Sequence, residues 1–295
     1  MFTHLVLSGG GLAGFCYMGA LSYLQSRNCQ PKHISGTSIG AFFGFLFSLD
    51  VSMVEIKSYM MEWSTQEAMC SFGDLESALL EIVDSCGLDI RSRFETPMRH
   101  FLKQTSGQDD ITFMELTKLR GISLTVCATS ITNGVKTYFS VDTSPNVSVI
   151  EAVLASMAVP MLAKPVTIGD QVYVDGGLCD NFPIDPFIGT TPHPLTDHIL
   201  GLIIEHRPPT NPAPTENLFS YMMAIAQTFS YTNMSDHYSK YFKHIVKFDK
   251  TPVVGFPFDI QGGEIRVTIN EEDIEASYQY GYDTLKAAMG HEFNE

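Results

Sequence analysis

A serine stands in a pattern that favours nucleophilic chemistry. Ser38 is the centre of Gly36-Thr37-Ser38-Ile39-Gly40, which fits the GxSxG pattern of a nucleophile on a tight strand-to-helix turn. The flanking glycines would let strand and helix approach without clashes between Cβ atoms. The pattern alone is weak evidence, but a short apolar strand precedes this serine and an apolar helix follows it. This setting favours a nucleophile over a plain bend.

A glycine-rich turn near the N-terminus could stabilise the oxyanion that forms when a serine attacks an ester. Gly9, Gly10 and Gly11 lie between an apolar strand and a helix, so their N–H groups could converge on negative charge. With Gly14 the turn also spells GxGxxG, the pattern of a nucleotide-phosphate loop. A dinucleotide site needs an acidic residue about 20 residues further on, and no carboxylate occurs between Gly14 and Asp50. We therefore expect an oxyanion turn and no nucleotide cofactor.

An aspartate later in the chain could act as the general base. Asp175 ends an apolar strand and precedes Gly176 and Gly177, so its carboxylate could approach a serine closely. Burial beside a nucleophile would raise its pKa towards the working range of a base, although Asp-Gly-Gly alone is more typical of an ordinary turn. The main rival arrangement is a Ser–His–Asp triad. The histidines that follow the aspartate in the chain are His193, His198, His206, His237, His244 and His291.

Composition and charge exclude several classes of partner. Lys and Arg total 18 and Asp and Glu total 33, which gives a formal charge of −15. No basic cluster could follow a nucleic-acid backbone, and this charge disfavours adhesion to anionic membranes, so any lipid contact would be mainly apolar. The six cysteines lack disulfide or zinc spacing. The acidic clusters lack calcium-loop spacing, and no metal is expected.

Neither a targeting segment nor a membrane-spanning segment is predicted. The N-terminal residues lack the basic stretch and the long apolar run of a signal peptide. No uninterrupted apolar stretch is long enough to cross a bilayer. These features predict a cytoplasmic protein that could act at the periphery of a membrane.

Strands alternate with helices along the chain, which predicts an α/β fold with a largely parallel sheet. The predicted strands are 2–7, 33–35, 122–130, 135–141, 165–168, 171–174, 198–206, 244–249 and 265–269. The predicted helices are 14–26, 41–49, most of 51–120, 147–159, 218–242 and a last helix capped by Asn270. Residues 207–217 form a linker-like stretch. We interpret the segment after it as completing the same sheet.

Four ordered blocks resemble the signature of the patatin-like phospholipases. They are GGGxxG at 9–14, GTSIG at 36–40, ASMAVPMLAKP at 155–165 and DGGLCDNFP at 175–183. The resemblance implies a three-layer α/β/α fold with a central, mostly parallel sheet, and a single catalytic domain over residues 1–295.

The same resemblance implies a Ser–Asp dyad that cleaves the acyl esters of lipids through an acyl-enzyme. Ser38 would attack the ester carbonyl and Asp175 would accept its proton, while Gly10 and Gly11 would supply the oxyanion N–H groups and Gly9 would border them. The substrate would be met at a membrane or micelle surface, without metal or cofactor.

One position departs from the pattern of the family. Ala13 stands where Arg or Lys is usual, which weakens the expectation of a phospholipid headgroup. Neutral glycerides, lysolipids and simple acyl esters therefore stay open as substrates. The chain could also be an acyltransferase that uses the same acyl-enzyme, or a catalytically idle lipid-binding relative.

A later helix carries apolar residues that could line a lipid site. Residues 218–231 place Leu218, Met222, Ile225 and Phe229 at helical spacing. The preferred interpretation is an amphipathic helix that faces the core, and the second interpretation is a pocket wall or lid.

Overall fold

The computed structural model has an eight-stranded central sheet flanked by helices. It describes residues 2–66, 70–188, 198–205, 218–233, 244–253, 258–261, 264–267, 269–290 and 292. The strands are β1 (His4–Leu7), β2 (His33–Thr37), β3 (Cys70–Asp74), β4 (Ser123–Ser130), β5 (Val135–Phe139), β6 (Val166–Ile168), β7 (Gln171–Asp175), β8 (Ile199–Ile204), β9 (Ile245–Phe248), β10 (Phe258–Gln261) and β11 (Glu264–Val267). The helices are α1 (Cys16–Ser26), α2 (Ile39–Ser48), α3 (Met53–Gln66), α4 (Leu75–Ser85), α5 (Arg91–Ser106), α6 (Phe113–Arg120), α7 (Val149–Ser156), α8 (Asp185–Ile188), α9 (Leu218–Thr232) and α10 (Glu271–Met289).

The central sheet is mixed. Its order is β6-β7-β4-β2-β1-β8-β9, and β5 also pairs with β4. The pairs along β4-β2-β1-β8-β9 are parallel, whereas β5, β6 and β7 pair antiparallel. The α/β prediction is confirmed. Because the parallel strands all run the same way, their carboxyl ends meet at one edge, which is the usual ligand edge of such sheets.

Two predictions about the sheet need correction. The segment 51–120 is helical for the most part but also contains β3, which pairs with β11 in a separate three-stranded sheet with β10. The prediction that the chain after residue 217 completes the central sheet is right for β9 and wrong for the predicted strand 265–269, whose first three residues belong to β11. Apolar periodicity identifies a strand but does not say which neighbour supplies its hydrogen bonds. The linker prediction at 207–217 lies outside the described residues.

Local signals in the sequence place several ends of elements correctly. Thr112 and Glu115 form the predicted capping box at the start of α6, and Gly121 ends that helix with φ 67°. Asn270 caps α10 through a second capping box. Such signals hold because they depend only on neighbouring residues.

The apolar helix α2 anchors the turn that precedes it. All ten of its residues are buried, as expected of a helix without a polar side. Phe42, Phe43 and Phe45 are completely buried, and burying each ring contributes about 1.5–3 kcal/mol to the free energy of unfolding. No helix in the described part of the chain is long and apolar enough to cross a membrane.

Candidate active site

Ser38 occupies the turn between β2 and α2 in strained backbone geometry. Its φ is 54° and its ψ is −125°, a conformation that costs a non-glycine residue about 1–3 kcal/mol. The Ser38 N–H donates a 2.8 Å hydrogen bond to the Ser156 hydroxyl, and that hydroxyl donates to the carbonyl of Cys127. The surrounding structure thus holds the serine in the conformation of a nucleophile elbow.

The glycines of the elbow are required by close backbone contacts. A Cβ on Gly40 would lie 2.5 Å from the Leu7 carbonyl oxygen, and a Cβ on Gly36 would lie 2.6 Å from the Gly40 carbonyl oxygen. Real Cβ atoms do not come this close to backbone oxygens. Leu7 ends β1 and the glycine turn follows it. The close contact between Gly40 and Leu7 therefore places that turn near Ser38.

The N-terminal glycine turn lies directly against Ser38. A Cβ on Gly9 would lie 3.3 Å from Ser38 Cβ. The Gly9 N–H is already engaged, since it donates to the Asn181 carbonyl at 3.0 Å. Gly10 and Gly11 begin the 3₁₀ turn Gly11–Phe15, and the first N–H groups of a helix have no partner within it. The glycine turn therefore lies beside the serine, with Gly9 as the point of contact.

Asp175 is held at the end of β7 by hydrogen bonds to its backbone and to one of its carboxylate oxygens. Its N–H donates to the Ala158 carbonyl at 2.8 Å, and its carbonyl accepts from the Thr129 hydroxyl at 2.9 Å. Its Oδ1 accepts from the Gly177 N–H at 2.7 Å. The buried Oδ2 has no hydrogen-bond partner of normal geometry in the described part of the chain. One carboxylate oxygen is therefore fixed while the other is available to a proton.

The environment of Asp175 makes its carboxylate a better base. Burial raises its pKa from 3.8 to about 6, although the Ser38 hydroxyl and the Gly177 N–H both favour the charged form. A carboxylate with this pKa is still mostly ionised at neutral pH and binds a proton more strongly than an exposed one. Strand pairing brings the two residues close together: Thr37 pairs with Cys127 on β4, and Asp175 pairs with the next residue, Ala128.

All four sequence blocks therefore meet around Ser38 and Asp175: Gly9 lies against Ser38, and the block 155–165 accepts hydrogen bonds from both backbones. A family model for patatin-like phospholipases matches residues 5–188, which is more than half of the chain. The chain belongs to the patatin-like phospholipase family. The family predicted from the sequence blocks is thus confirmed.

Curated relatives of this patatin-like chain include enzymes named for lipid hydrolysis. The probable lipid hydrolase 463L of Invertebrate iridescent virus 6 is 30% identical over 188 residues, which cover 62% of this chain and 62% of that relative. The triacylglycerol lipase ptl3 of Schizosaccharomyces pombe is 29% identical over 179 residues, which cover 57% of this chain and 35% of the lipase. The chain therefore spans less than two thirds of the length of these two relatives.

A solved structure shares the fold of the patatin-like chain. VipD from Legionella pneumophila superposes with a TM-score of 0.57 at 16% identity, over 98% of this chain and 67% of VipD. At this identity the likeness concerns the fold alone.

The loop after Asp175 is anchored to the strand that carries Ser38. The Thr37 hydroxyl donates to the Asp180 carbonyl at 2.8 Å. The buried Asp180 carboxyl accepts from the Tyr138 hydroxyl and lies 3.4 Å from Lys136 Nζ, as a buried carboxylate requires a cation and hydrogen bonds. These contacts fix the distance between the end of β2, which precedes Ser38, and the end of β7, which carries Asp175.

Sequence reasoning misses Ser156 as a functional candidate. It lies in the block ASMAVPMLAKP, which the sequence marks as a signature without indicating a role for this serine. Asn181 lies in the block DGGLCDNFP, and its carbonyl accepts the Gly9 N–H. The only sequence signal for Ser156 is its position inside a signature block. Its partner Ser38 is far away in the chain, so no local pattern reveals the hydrogen bond between them.

The two triad candidates within the described residues lie at the opposite end of the parallel strands from Ser38. His198 and His244 precede β8 and β9, whereas Ser38 follows the last residue of β2, and these strands run in parallel. A strand as long as β2 spans roughly 16 Å. Neither histidine can therefore contact Ser38. The other triad candidates, His193, His206, His237 and His291, lie outside the described residues.

Metal-ligating side chains are not clustered at the site within the part of the chain that the structure describes. Among the described residues, no three His, Cys, Asp or Glu side chains are placed to hold a metal ion. A serine nucleophile activated by an adjacent base needs only side chains and N–H groups of the chain itself.

Proposed function

We propose that this protein is a serine lipid acyl hydrolase of the phospholipase A type, acting through a Ser38–Asp175 dyad. The observation that carries the proposal is the pairing of two strand ends on β4: Thr37, which precedes Ser38, pairs with Cys127, and the buried Asp175 pairs with the next residue, Ala128. The patatin-like family supports hydrolysis of lipid esters. The catalytic unit we propose spans residues 1–295 and takes its substrate from a membrane or micelle surface.

The proposed reaction has two halves. Asp175 accepts the hydroxyl proton as Ser38 Oγ attacks the ester carbonyl, and the N–H groups of Gly10 and Gly11 stabilise the oxyanion. The carboxylic acid then returns the proton to the leaving alcohol, which leaves an acyl-serine. In the second half Asp175 accepts a proton from water, water attacks the acyl-serine, and the fatty acid departs as Ser38 regains its proton. Gly9 supports this turn rather than donating, because its N–H binds Asn181.

A neutral lipid or a lysolipid is the second candidate substrate. Ala13 is buried, with 1% of its surface exposed, so this position offers neither a cation nor a surface to a headgroup phosphate. The dyad and the oxyanion turn act on the ester alone and do not require a phosphate. Comparing fatty-acid release from phosphatidylcholine, lysophosphatidylcholine and triacylglycerol in matched micelles separates these substrates.

Covalent labelling tests the proposed nucleophile. A fluorophosphonate should form one adduct on the wild-type protein, and mass spectrometry of its peptides should place the adduct on Ser38. The Ser38→Ala variant should show no labelling and the same thermal unfolding. A folded wild-type protein that is not labelled would support the idle relative, and labelling at another serine would overturn the proposed site.

The dependence of the rate on pH should follow the Asp175 carboxyl. Its pKa is about 6, and only the ionised form can accept the Ser38 proton, so kcat/KM should fall as pH drops below 6 and level off above 7. A short, uncharged, soluble ester avoids ionisation of the substrate, and thermal unfolding across the same range verifies the fold. A flat profile between pH 4.5 and 8 would contradict the role of Asp175 as the base.

Ser156 should act as a positioning residue for the nucleophile. Ser156→Ala leaves the buried Ser38 N–H without its acceptor, which should lower the free energy of unfolding by about 1–3 kcal/mol. Because the strained elbow loses a constraint, we expect kcat/KM and the rate of fluorophosphonate labelling to fall about tenfold.

A serine at the other end of the same helix provides the control for Ser156. Ser148 caps α7 by accepting from the Glu151 N–H at 3.2 Å, so Ser148→Ala should cost about 1 kcal/mol of stability and leave the labelling rate unchanged. Equal labelling rates in both variants would reduce Ser156 to a purely structural residue.

A further inference from the structure

Helix α9 exposes apolar side chains on a surface without charge. Residues 218–233 contain no Asp, Glu, Lys or Arg. Tyr221 is 48%, Met222 38% and Phe229 52% exposed. The prediction that this helix turns its apolar side to the core is therefore wrong at Met222 and Phe229.

The exposed residues form one stripe. At about 100° per residue, Tyr221, Ile225 and Phe229 follow one another on the helix surface, and Met222 lies beside them. Ile225, which lies between Tyr221 and Phe229, is partly buried. A continuous apolar stripe of this kind on a soluble surface usually marks an interaction site.

The same helix packs on the turn that carries Asp175. The Asn233 side-chain amide donates to the Leu178 carbonyl. A Cβ on Gly177 would lie 2.9 Å from Ser230 Oγ. Both contacts involve the 3₁₀ turn Gly176–Leu178, which directly follows Asp175. Helix α9 therefore packs through Ser230 beside the turn that follows Asp175, and at about 100° per residue the apolar stripe lies on the other side of the helix from Ser230.

We propose that the α9 stripe docks on a neutral or zwitterionic lipid surface, an inference that rests on the proposed function. The charge of −15 on the chain opposes contact with anionic surfaces, while the uncharged stripe can enter the apolar boundary of a lipid layer without burying a charge. The proposed substrate comes from such a layer.

A second exposed apolar helix provides a matched comparison. On α4, Leu79, Leu80 and Val83 are exposed at 43%, 57% and 76%. They alternate with Glu81 and Asp84, whose charges disfavour insertion into lipid. This helix packs on β3 and β11 of the smaller sheet. If exposure alone decided binding, α4 and α9 would contribute equally to binding a lipid surface. Our proposal predicts that lipid binding depends on α9.

Vesicle binding tests the proposal without relying on catalysis. The probe is phosphatidylcholine vesicles, and every protein carries Ser38→Ala so that the lipid stays intact. Met222→Gln with Phe229→Gln should weaken vesicle binding about tenfold or more, because two apolar side chains lose their burial in lipid. Leu80→Gln with Val83→Gln should leave binding within about twofold. Adding phosphatidylserine to the vesicles should weaken the binding of all variants.

Each outcome decides one question. If the Ser38→Ala protein does not bind phosphatidylcholine vesicles, or if the α4 pair weakens binding as much as the α9 pair, the docking proposal is overturned. Normal binding that depends on α9, together with a wild-type protein that hydrolyses no ester, would overturn the proposed function and keep the docking surface. Thermal unfolding at the wild-type temperature verifies that each variant is folded.

Discussion

Replacing Asp175 with asparagine should lower kcat by a factor on the order of 10³ or more. The amide has nearly the same shape as the carboxyl and can still accept the Gly177 N–H through its oxygen, but it cannot take a proton from Ser38. Hydrolysis of a soluble ester by the purified variant measures the loss. Retained activity, with contaminating esterases excluded, would remove Asp175 from the mechanism.

The stability of the same variant distinguishes a base from a structural residue. The folded pKa of Asp175 is raised to about 6, above the value of 3.8 for an unperturbed carboxyl. The folded state therefore binds the proton more tightly than the unfolded state, so stability is lost as pH rises from about 4 to above 6. Asp175→Asn avoids this loss, and its melting temperature at pH 7 should be above that of the wild type. A lower melting temperature would indicate a structural role.

Ser38→Ala provides the matched control for the catalytic loss. Residues that act as a unit show strongly non-additive effects, so the double variant with Asp175→Asn should be about as slow as either single variant. Additive losses, in which the two factors multiply, would show that Ser38 and Asp175 act independently.

The parts of the site that sequence could predict are those set by local geometry. Gly36 is needed within one strand-turn-helix unit, where its Cβ would meet the Gly40 backbone, and Asp175 ends a strand ahead of two glycines, so each leaves a short pattern. The support of Ser38 by Ser156, and of Gly9 by Asn181, joins residues far apart in the chain. No local pattern encodes such pairs.

The sequence also does not show which helices and strands pack against one another. The apolar spacing on α9 correctly predicts a helix, but not that Met222 and Phe229 are exposed. The strand β11 is visible as a strand, yet its pairing with β3 is not. Periodicity reports which residues share a side of an element, whereas the tertiary fold decides what that side contacts.

The close contact between α1 and α10 is a further feature that the sequence does not reveal, and it affects the stability of the fold. A Cβ on Gly19 would lie 1.8 Å from the Tyr278 carbonyl oxygen, and a Cβ on Gly281 would lie 1.8 Å from the Cys16 carbonyl oxygen. The Ser22 and Tyr278 hydroxyls hydrogen-bond across the same interface at 2.7 Å. The two backbones are therefore in contact at two points, and neither helix can accept a methyl group there without moving.

Gly281→Ala should consequently lower the free energy of unfolding by about 2 kcal/mol or more, because overpacking forces the helices apart. Helix propensity alone predicts the opposite sign, since alanine is favoured over glycine by about 1 kcal/mol within a helix. The exposed Ala276 on α10 isolates that second effect: Ala276→Gly should cost about 1 kcal/mol through propensity only. Denaturant unfolding of both variants measures the two effects in one helix. A Gly281→Ala protein more stable than the wild type would show that α1 and α10 do not approach so closely.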